Sequence, residues 1–303
     1  MKSLFTIGGA HQPVRSISLP SRIHPSSQRF EAVLNHLKAL HLQSVSSTNH
    51  FGADAIQNGL VGLAELYNCM EELIQSPNTQ QALLHYHNGK LVEEALYGSV
   101  TLLDACGSAR DLLLTLKEHV QSLHSALRRR QGDSSIESSI AGFGSFRKKV
   151  KKDIAKQLTA LKLMQSTVNS SYPLDLDQNL FCLMKVLREV TTVTISIFCS
   201  LLLFLSMPEM KTKGSSLISK LKPLRLFSSE KEHKIANEIG SVNIPLYSLI
   251  GSVKNSEAKA EVQGAQTMLE TLNLSIDGLE ASLDNLFRCL VQNRVSFLNM
   301  LTH

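Results

Sequence analysis

The side chains that could act as a catalytic acid and base are few and poorly spaced. Glu71 and Glu72 are adjacent in the chain, and so are Glu93 and Glu94. On a helix, neighbouring residues point about 100° away from each other, so neither pair can address one substrate atom. The closest histidine spacings, 85 with 87 and 119 with 124, also miss the i, i+4 spacing by which one helix offers two ligands to a metal.

The glycines and the common catalytic motifs give no stronger signal. The sequence has no P-loop, no dinucleotide-binding fingerprint, no H-E-x-x-H zinc motif and no nucleophile elbow. The G-F-G segment at residues 142–144 could hold an anion at a helix N-terminus, but flexible loop glycine is the simpler interpretation. We therefore predict a protein that is not an enzyme and that uses no cofactor or metal.

A basic run between residues 147 and 156 suits binding better than catalysis. It holds a single acid, Asp153, among six cations: Arg147, Lys148, Lys149, Lys151, Lys152 and Lys156. On a helix over about 146–164, the apolar residues form one stripe with the cations around it. Such a helix suits an acidic groove of a partner protein or an anionic membrane surface. A basic outer face of a bundle helix and a nuclear localisation signal are the alternatives, and the lack of interleaved aromatic residues disfavours nucleic acid.

A second binding motif lies in the N-terminal region. Once phosphorylated at Ser18, the R-S-I-S-L-P string at residues 15–20 would match the form that the arginine cluster of 14-3-3 proteins reads. Ser18 is thus a candidate phosphosite, although short motifs of this kind are frequent by chance. Residues 1–27 contain three prolines with many Ser, Gly and His, and we predict a disordered tail.

Long helices must position these residues. From Val92 to Leu127, eleven uncharged residues follow one another at alternating steps of three and four. The same alternation recurs at 176–204 and at 262–290. A heptad stripe is typical of a helix that packs along other helices. We predict an all-α fold, an elongated antiparallel bundle over residues 28–303 with three long heptad-patterned helices. The Gly- and Ser-rich residues 131–145 are predicted to be a loop, and the basic residues 209–242 a mobile linker.

Residues 190–207 form a run of eighteen residues without a charge. As a helix this run would be ~27 Å long, close to the thickness of a bilayer core. However, six Ser or Thr interrupt it, and the heptad stripe that begins at Leu176 continues through it in register to Phe204. A central helix of a bundle explains that register. We therefore favour a buried bundle helix, with a membrane-spanning helix as the alternative.

Composition sets the remaining bounds. Of the 303 residues, 43% are hydrophobic, enough for a sizeable core, whereas only 5% are aromatic and none is Trp. The five scattered cysteines indicate a reducing compartment. The N-terminus lacks a sustained apolar segment, although its acid-poor composition resembles that of a transit peptide. We predict a cytoplasmic protein, with membrane association as the alternative and organelle import less favoured.

Several strings, in the expected order from about residue 15 to the C-terminus, resemble the plant-specific BYPASS-related family. They are RSISLPSRIHP (15–25), LVGLAELYNCMEELIQSPNTQQAL (60–83), SVTLLDACGSARDLLLTLKEHVQSLHSALRRR (99–130), FRKKVKK (146–152) and NRVSFLNMLTH (293–303). The resemblance implies an all-helical land-plant protein linked to root and shoot development. It brings no established activity and no catalytic residues.

On this basis we expect a non-enzymatic helical adaptor that binds partner proteins, with 14-3-3 proteins and anionic membrane surfaces as candidate partners. The alternative is a membrane-associated protein, anchored by the helix at 190–207 or by the basic helix at 146–164. Family members usually carry more charge in the helix that corresponds to 190–207. The apolar run therefore departs from the family pattern, and either deeper burial or a membrane would explain it.

Overall fold

The computed structural model describes residues 25–46, 52–85, 90–129, 133–168, 178–206, 238–242, 246 and 258–302. These residues are helical apart from short turns, and no strand occurs among them. The long helices are α1 (Pro25–Ser46), α2 (Ala53–Ile74), α3 (Pro77–His85), α4 (Lys90–Arg128), α5 (Asp133–Val168), α6 (Gln178–Leu205) and α8 (Ala258–Thr302). A short segment, α7, covers residues 238–242. The prediction of an all-α bundle is confirmed.

Helix α8 lies between α4 and α2. It runs antiparallel to α4, since Gln121 contacts Asn273 whereas Cys106, earlier in α4, contacts Leu283, later in α8. It runs parallel to α2, because residues 57 and 67 of α2 meet residues 278 and 293 of α8 in the same order. Helices α2 and α4, which pack on α8 from two sides, therefore run in opposite directions.

Helix α6 closes the bundle. Each helix packs on the next in the order α2, α8, α4, α5, α6, and α6 also contacts α2. Helix α5 is antiparallel to α4, as Gln157 bonds to Ser108 and the His119 ring lies against Phe146. Helix α1 lies against α2 and α6. Because five helices, α1 to α5, contact α6, it has neighbours on most of its sides.

The three predicted heptad stripes supply the core. Nine of the eleven stripe residues of α4 are buried, including Leu113 and Leu116. The stripe of α8 is buried from Ala265 to Leu290, and the described part of the third stripe is buried from Val190 to Phe204. The steps of three and four therefore gave the inward faces of these helices correctly.

The predicted loop at 131–145 is wrong, because α5 begins at Asp133. Ile136, Ile140 and Phe143 follow at steps of four and three, and all three are buried. Each glycine inside a helix costs about 1 kcal/mol relative to alanine, and the burial of three large apolar side chains, roughly 1.5–3 kcal/mol each, outweighs that cost. The segment at 142–144 consequently lies inside a helix, so the favoured interpretation of flexible loop glycine is wrong, and so is the alternative of an anion site at a helix N-terminus.

Two predicted segments fall mainly outside the described residues: the tail with Ser18, and residues 209–237 of the linker. The last five linker residues form α7, in which Ile239 and Val242 are buried. Glu238 accepts a 2.9 Å hydrogen bond from the backbone N–H of Ala53. It thereby caps α2, whose N-cap residue Gly52 has no side chain to do so.

Candidate docking surface on helix α5

The sequence places the cations of α5 opposite the side that packs. Phe146, Val150, Ile154 and Leu161 are buried against the rest of the bundle, and Leu158 is partly buried. The apolar stripe of the basic helix is therefore part of the protein core. In this fold the stripe is not free to enter a membrane, and only the opposite, charged side of α5 faces solvent.

Four of the six predicted cations share that exposed side: Lys148, Lys149, Lys152 and Lys156. We call these four residues the lysine face. Lys151 is partly buried, and Arg147 is only 4% exposed. Arg147 belongs to a buried seam with Ile140 and Ile154, each seven residues away, so its position in the heptad was a sequence signal for its burial.

The lysine face carries four positive charges within nine residues. No carboxylate in the described part of the chain lies within ion-pair distance of these four ammonium groups. The i, i+4 pairs 148–152 and 152–156 place like charges on successive turns, which destabilises a helix by about 0.2–0.5 kcal/mol per pair. The lysine face thus opposes folding slightly and is available to an anionic partner.

Other cations form ion pairs at the contact between α4 and α8, which we call the α4–α8 seam. Lys117 Nζ lies 2.8 Å from both Asp277 Oδ1 and Glu280 Oε2, and these hydrogen bonds raise the pKa of Lys117 to about 12. Arg110 pairs with Asp284 at 3.0 Å. These ion pairs join two neighbouring helices, so both cations have carboxylate partners within the fold.

His119 lies in the contact between α4 and α5. The ring centroid of His119 is 4.7 Å from that of Phe146 and 6.3 Å from that of Phe143. Burial lowers the pKa of His119 below its ordinary value, although the nearby Glu118 carboxylate opposes the shift. The three-residue spacing of the phenylalanines was the signal that a helix continues through residue 143 and packs its aromatic rings inward.

The uncharged run lies inside the bundle. The segment Met184–Leu205 is long and apolar enough to cross a membrane, but 61% of its most apolar window is buried in the protein. The core helix of a soluble protein has the same length and composition. Its hydroxyl groups also have partners within the protein: Thr194 Oγ1 bonds to Val190 O at 2.8 Å and to Tyr67 Oη at 3.1 Å.

The adjacent acids Glu71 and Glu72 contact different partners. Glu71 accepts hydrogen bonds from the Ser296 hydroxyl and from Gln75, while Glu72 lies 3.5 Å from Arg29 on α1. In the described part of the chain, no group of three His, Cys, Asp or Glu side chains could hold a metal ion. The cysteines at 106 and 199 are buried, and burial raises the pKa of each thiol to about 12.

A protein-family model described as Protein BPS1 matches residues 59–300. No curated protein and no solved structure matches the chain. The matched region runs from α2 almost to the end of α8, so it contains both the lysine face and the α4–α8 seam.

Proposed function

The chain belongs to the family described as Protein BPS1, and from that premise we propose that it is a non-enzymatic helical adaptor. In this proposal the lysine face of α5 binds an acidic surface of a partner protein. The link to root and shoot development comes from the resemblance to the BYPASS-related family and is part of the same proposal.

The exposed positive charge of the lysine face carries this proposal. Elsewhere the bundle joins cations to carboxylates across helix contacts, as at Lys117 and Arg110. On α5, four lysines face solvent within nine residues without such a partner among the described residues. Complementary charge speeds association and selects among partners, and exposed pairs lose strength as salt rises. An acidic partner would also relieve the repulsion between neighbouring lysines.

Affinity purification of the tagged full chain from plant tissue tests the proposal. We expect wild type and Arg288→Glu to retain the same set of acidic proteins, and Lys148→Glu/Lys152→Glu to lose that set. Arg288 is exposed on α8 and serves as the control for charge reversal. If the double variant retains every partner of the wild type, the lysine face is not the docking surface.

Membrane association is the second candidate function. The length and apolar composition of Met184–Leu205 favour it, whereas the burial of that segment and of the apolar stripe of α5 argues against it. Fractionation separates the two functions. A chain that stays in the membrane pellet after alkaline carbonate treatment supports a spanning helix, and recovery in the soluble fraction contradicts it. Release by salt alone would indicate peripheral attachment through the lysines.

Binding of a 14-3-3 protein to the phosphorylated tail would regulate the adaptor. Phosphorylation of Ser18 would add a charge of about −1.5 to −2, together with acceptor oxygens that an arginine cluster can bind. This proposal depends on the motif alone, because Ser18 lies outside the described residues. A Ser18→Ala chain that binds a 14-3-3 protein as well as the wild type would contradict it.

A further inference from the structure

Two large exposed side chains extend the lysine face at its C-terminal end. Leu163 is 68% exposed and Tyr97 is 82% exposed. Lys148, Lys152 and Leu163 lie close to one line along α5, since steps of four and eleven residues return nearly to the same side of a helix. At 1.5 Å per residue, Leu163 lies ~22 Å along the axis from Lys148.

Tyr97 belongs to the same end of this surface although it is on α4. A Cβ atom built on Gly98 would lie 3.0 Å from Met164 Cε, so these residues mark a close α4–α5 contact. Tyr97 precedes Gly98, and Leu163 precedes Met164. We call Tyr97 and Leu163 the apolar end.

We infer that the lysine face and the apolar end form one docking surface, and this inference rests on the proposed adaptor function. The occupant is an acidic segment of a partner protein that carries a large apolar side chain beyond its acidic residues. Charge complementarity places the acids on Lys148, Lys152 and Lys156. The apolar side chain then covers Leu163 and contacts the Tyr97 ring, which removes exposed apolar surface from water.

The arrangement favours a protein segment over a bilayer. A helix that lies in a membrane interface inserts a continuous apolar face along its length. On α5 that face is buried in the bundle, and the exposed apolar groups are confined to one end. A helical or extended segment can match this order, with acids at one end and an apolar residue at the other.

Direct binding to the full chain tests this inference. The probes are labelled helical peptides with glutamates at the spacing of Lys148, Lys152 and Lys156 and a leucine at the spacing of Leu163, made in both directions. Each has a matched peptide with alanine in place of that leucine, and one further peptide has glutamines in place of the glutamates. Fluorescence anisotropy gives Kd.

We expect one leucine peptide to bind roughly tenfold more tightly than its alanine counterpart, because it buries most of one leucine side chain. Leu163→Ser should abolish that difference and leave the affinity for the alanine peptide unchanged. Leu274→Ser is the matched control, since Leu274 is 71% exposed on α8. This control should keep the tenfold difference.

The remaining outcomes separate this inference from the proposed function. If neither leucine peptide gains affinity, or if Leu163→Ser keeps the gain, the apolar end is not part of the site. The adaptor function survives that result as long as Lys148→Glu/Lys152→Glu weakens binding of both acidic peptides. If the glutamate peptides bind no better than the glutamine peptide, both proposals are wrong. Binding to phosphatidylserine vesicles that requires Leu163, without peptide binding, would assign the surface to a membrane instead.

Discussion

Helices α5 and α6 are the two unusual helices of this chain, one for its basic residues and the other for its lack of charge. The bundle accounts for the apolar residues of α6, because α1, α2, α4 and α5 all pack against it. It does not account for the lysine face of α5, which has no carboxylate partner among the described residues. Packing thus explains one unusual composition, and the proposed acidic partner is our explanation for the other.

The largest expected effect tests whether α6 belongs to the protein core. Phe198 is fully buried in α6. Phe198→Ala should lower the free energy of unfolding by about 3–5 kcal/mol, because it removes a large apolar side chain and leaves a cavity. Chemical denaturation of the purified chain measures this loss. Phe181→Ala is the control, since Phe181 is 37% exposed in the same helix and should cost much less. Equal, small losses would contradict a buried α6.

The next effect tests whether the hydroxyl groups of α6 are adapted to this bundle. Tyr67 is buried, and burial raises its pKa to about 12. Thr194→Val keeps the shape of the side chain but leaves the Tyr67 hydroxyl without its partner, at a cost of about 1–3 kcal/mol. Thr192→Val is the control, because among the described residues the Thr192 hydroxyl bonds only to the backbone of its own helix, at Arg188 O. If unfolding curves show equal losses of stability in both variants, the hydrogen bond to Tyr67 does not contribute to stability.

Replacing a lysine by glutamine should have opposite effects on stability at Lys117 in the α4–α8 seam and at Lys152 in the lysine face. Lys117→Gln breaks two ion pairs and leaves Asp277 and Glu280 facing each other, so it should lower stability by about 1 kcal/mol. Lys152→Gln relieves two like-charge pairs, with Lys148 and Lys156, and should raise stability by about 0.5 kcal/mol. Thermal unfolding at low salt measures both signs. A loss of stability in Lys152→Gln would indicate that the fold does use the lysine face.

The smallest expected effect concerns pH at the α4–α5 contact. The folded chain holds the pKa of His119 below its ordinary value of 6.5, so protonation favours the unfolded chain. The contribution of the neutral ring is present above pH 6.5 and is lost as pH falls through the lower, folded-state pKa. His119→Phe keeps a ring against Phe146 and should lose less stability than the wild type between pH 7 and pH 5. Equal losses in denaturant titrations would contradict this.

Much of the fold could be predicted from the sequence because heptad patterns are local. The stripes at 92–127 and 262–290 gave the inward faces of α4 and α8, and the stripe through 190–204 gave the buried position of α6. Contacts between distant segments could not be read in this way. Nothing in the local pattern shows that Glu238 caps α2, or that α2 runs parallel to α8.

The candidate site was predictable in part for the same reason. The basic run identified α5, and four of its six cations do lie together on the exposed side. Arg147 was assigned to that side because charge was given more weight than the seven-residue spacing from Ile140 to Ile154. The prediction of a loop at 131–145 was wrong because it gave weight to the glycines and none to Phe143, which is buried in the core. The apolar end at Tyr97 and Leu163 was missed because it joins two helices.

Lysine footprinting tests most directly the claim that the lysine face is free in the bundle and covered by a partner. The full chain is treated briefly with an amine-reactive acylating reagent, alone and in plant extract, and modification at each lysine is measured by mass spectrometry. We predict that Lys148, Lys152 and Lys156 react quickly in the purified chain and slow down together in the extract. Lys117, which two carboxylates hold, should react slowly in both. Unchanged reactivity of the three lysines in the extract would contradict the account.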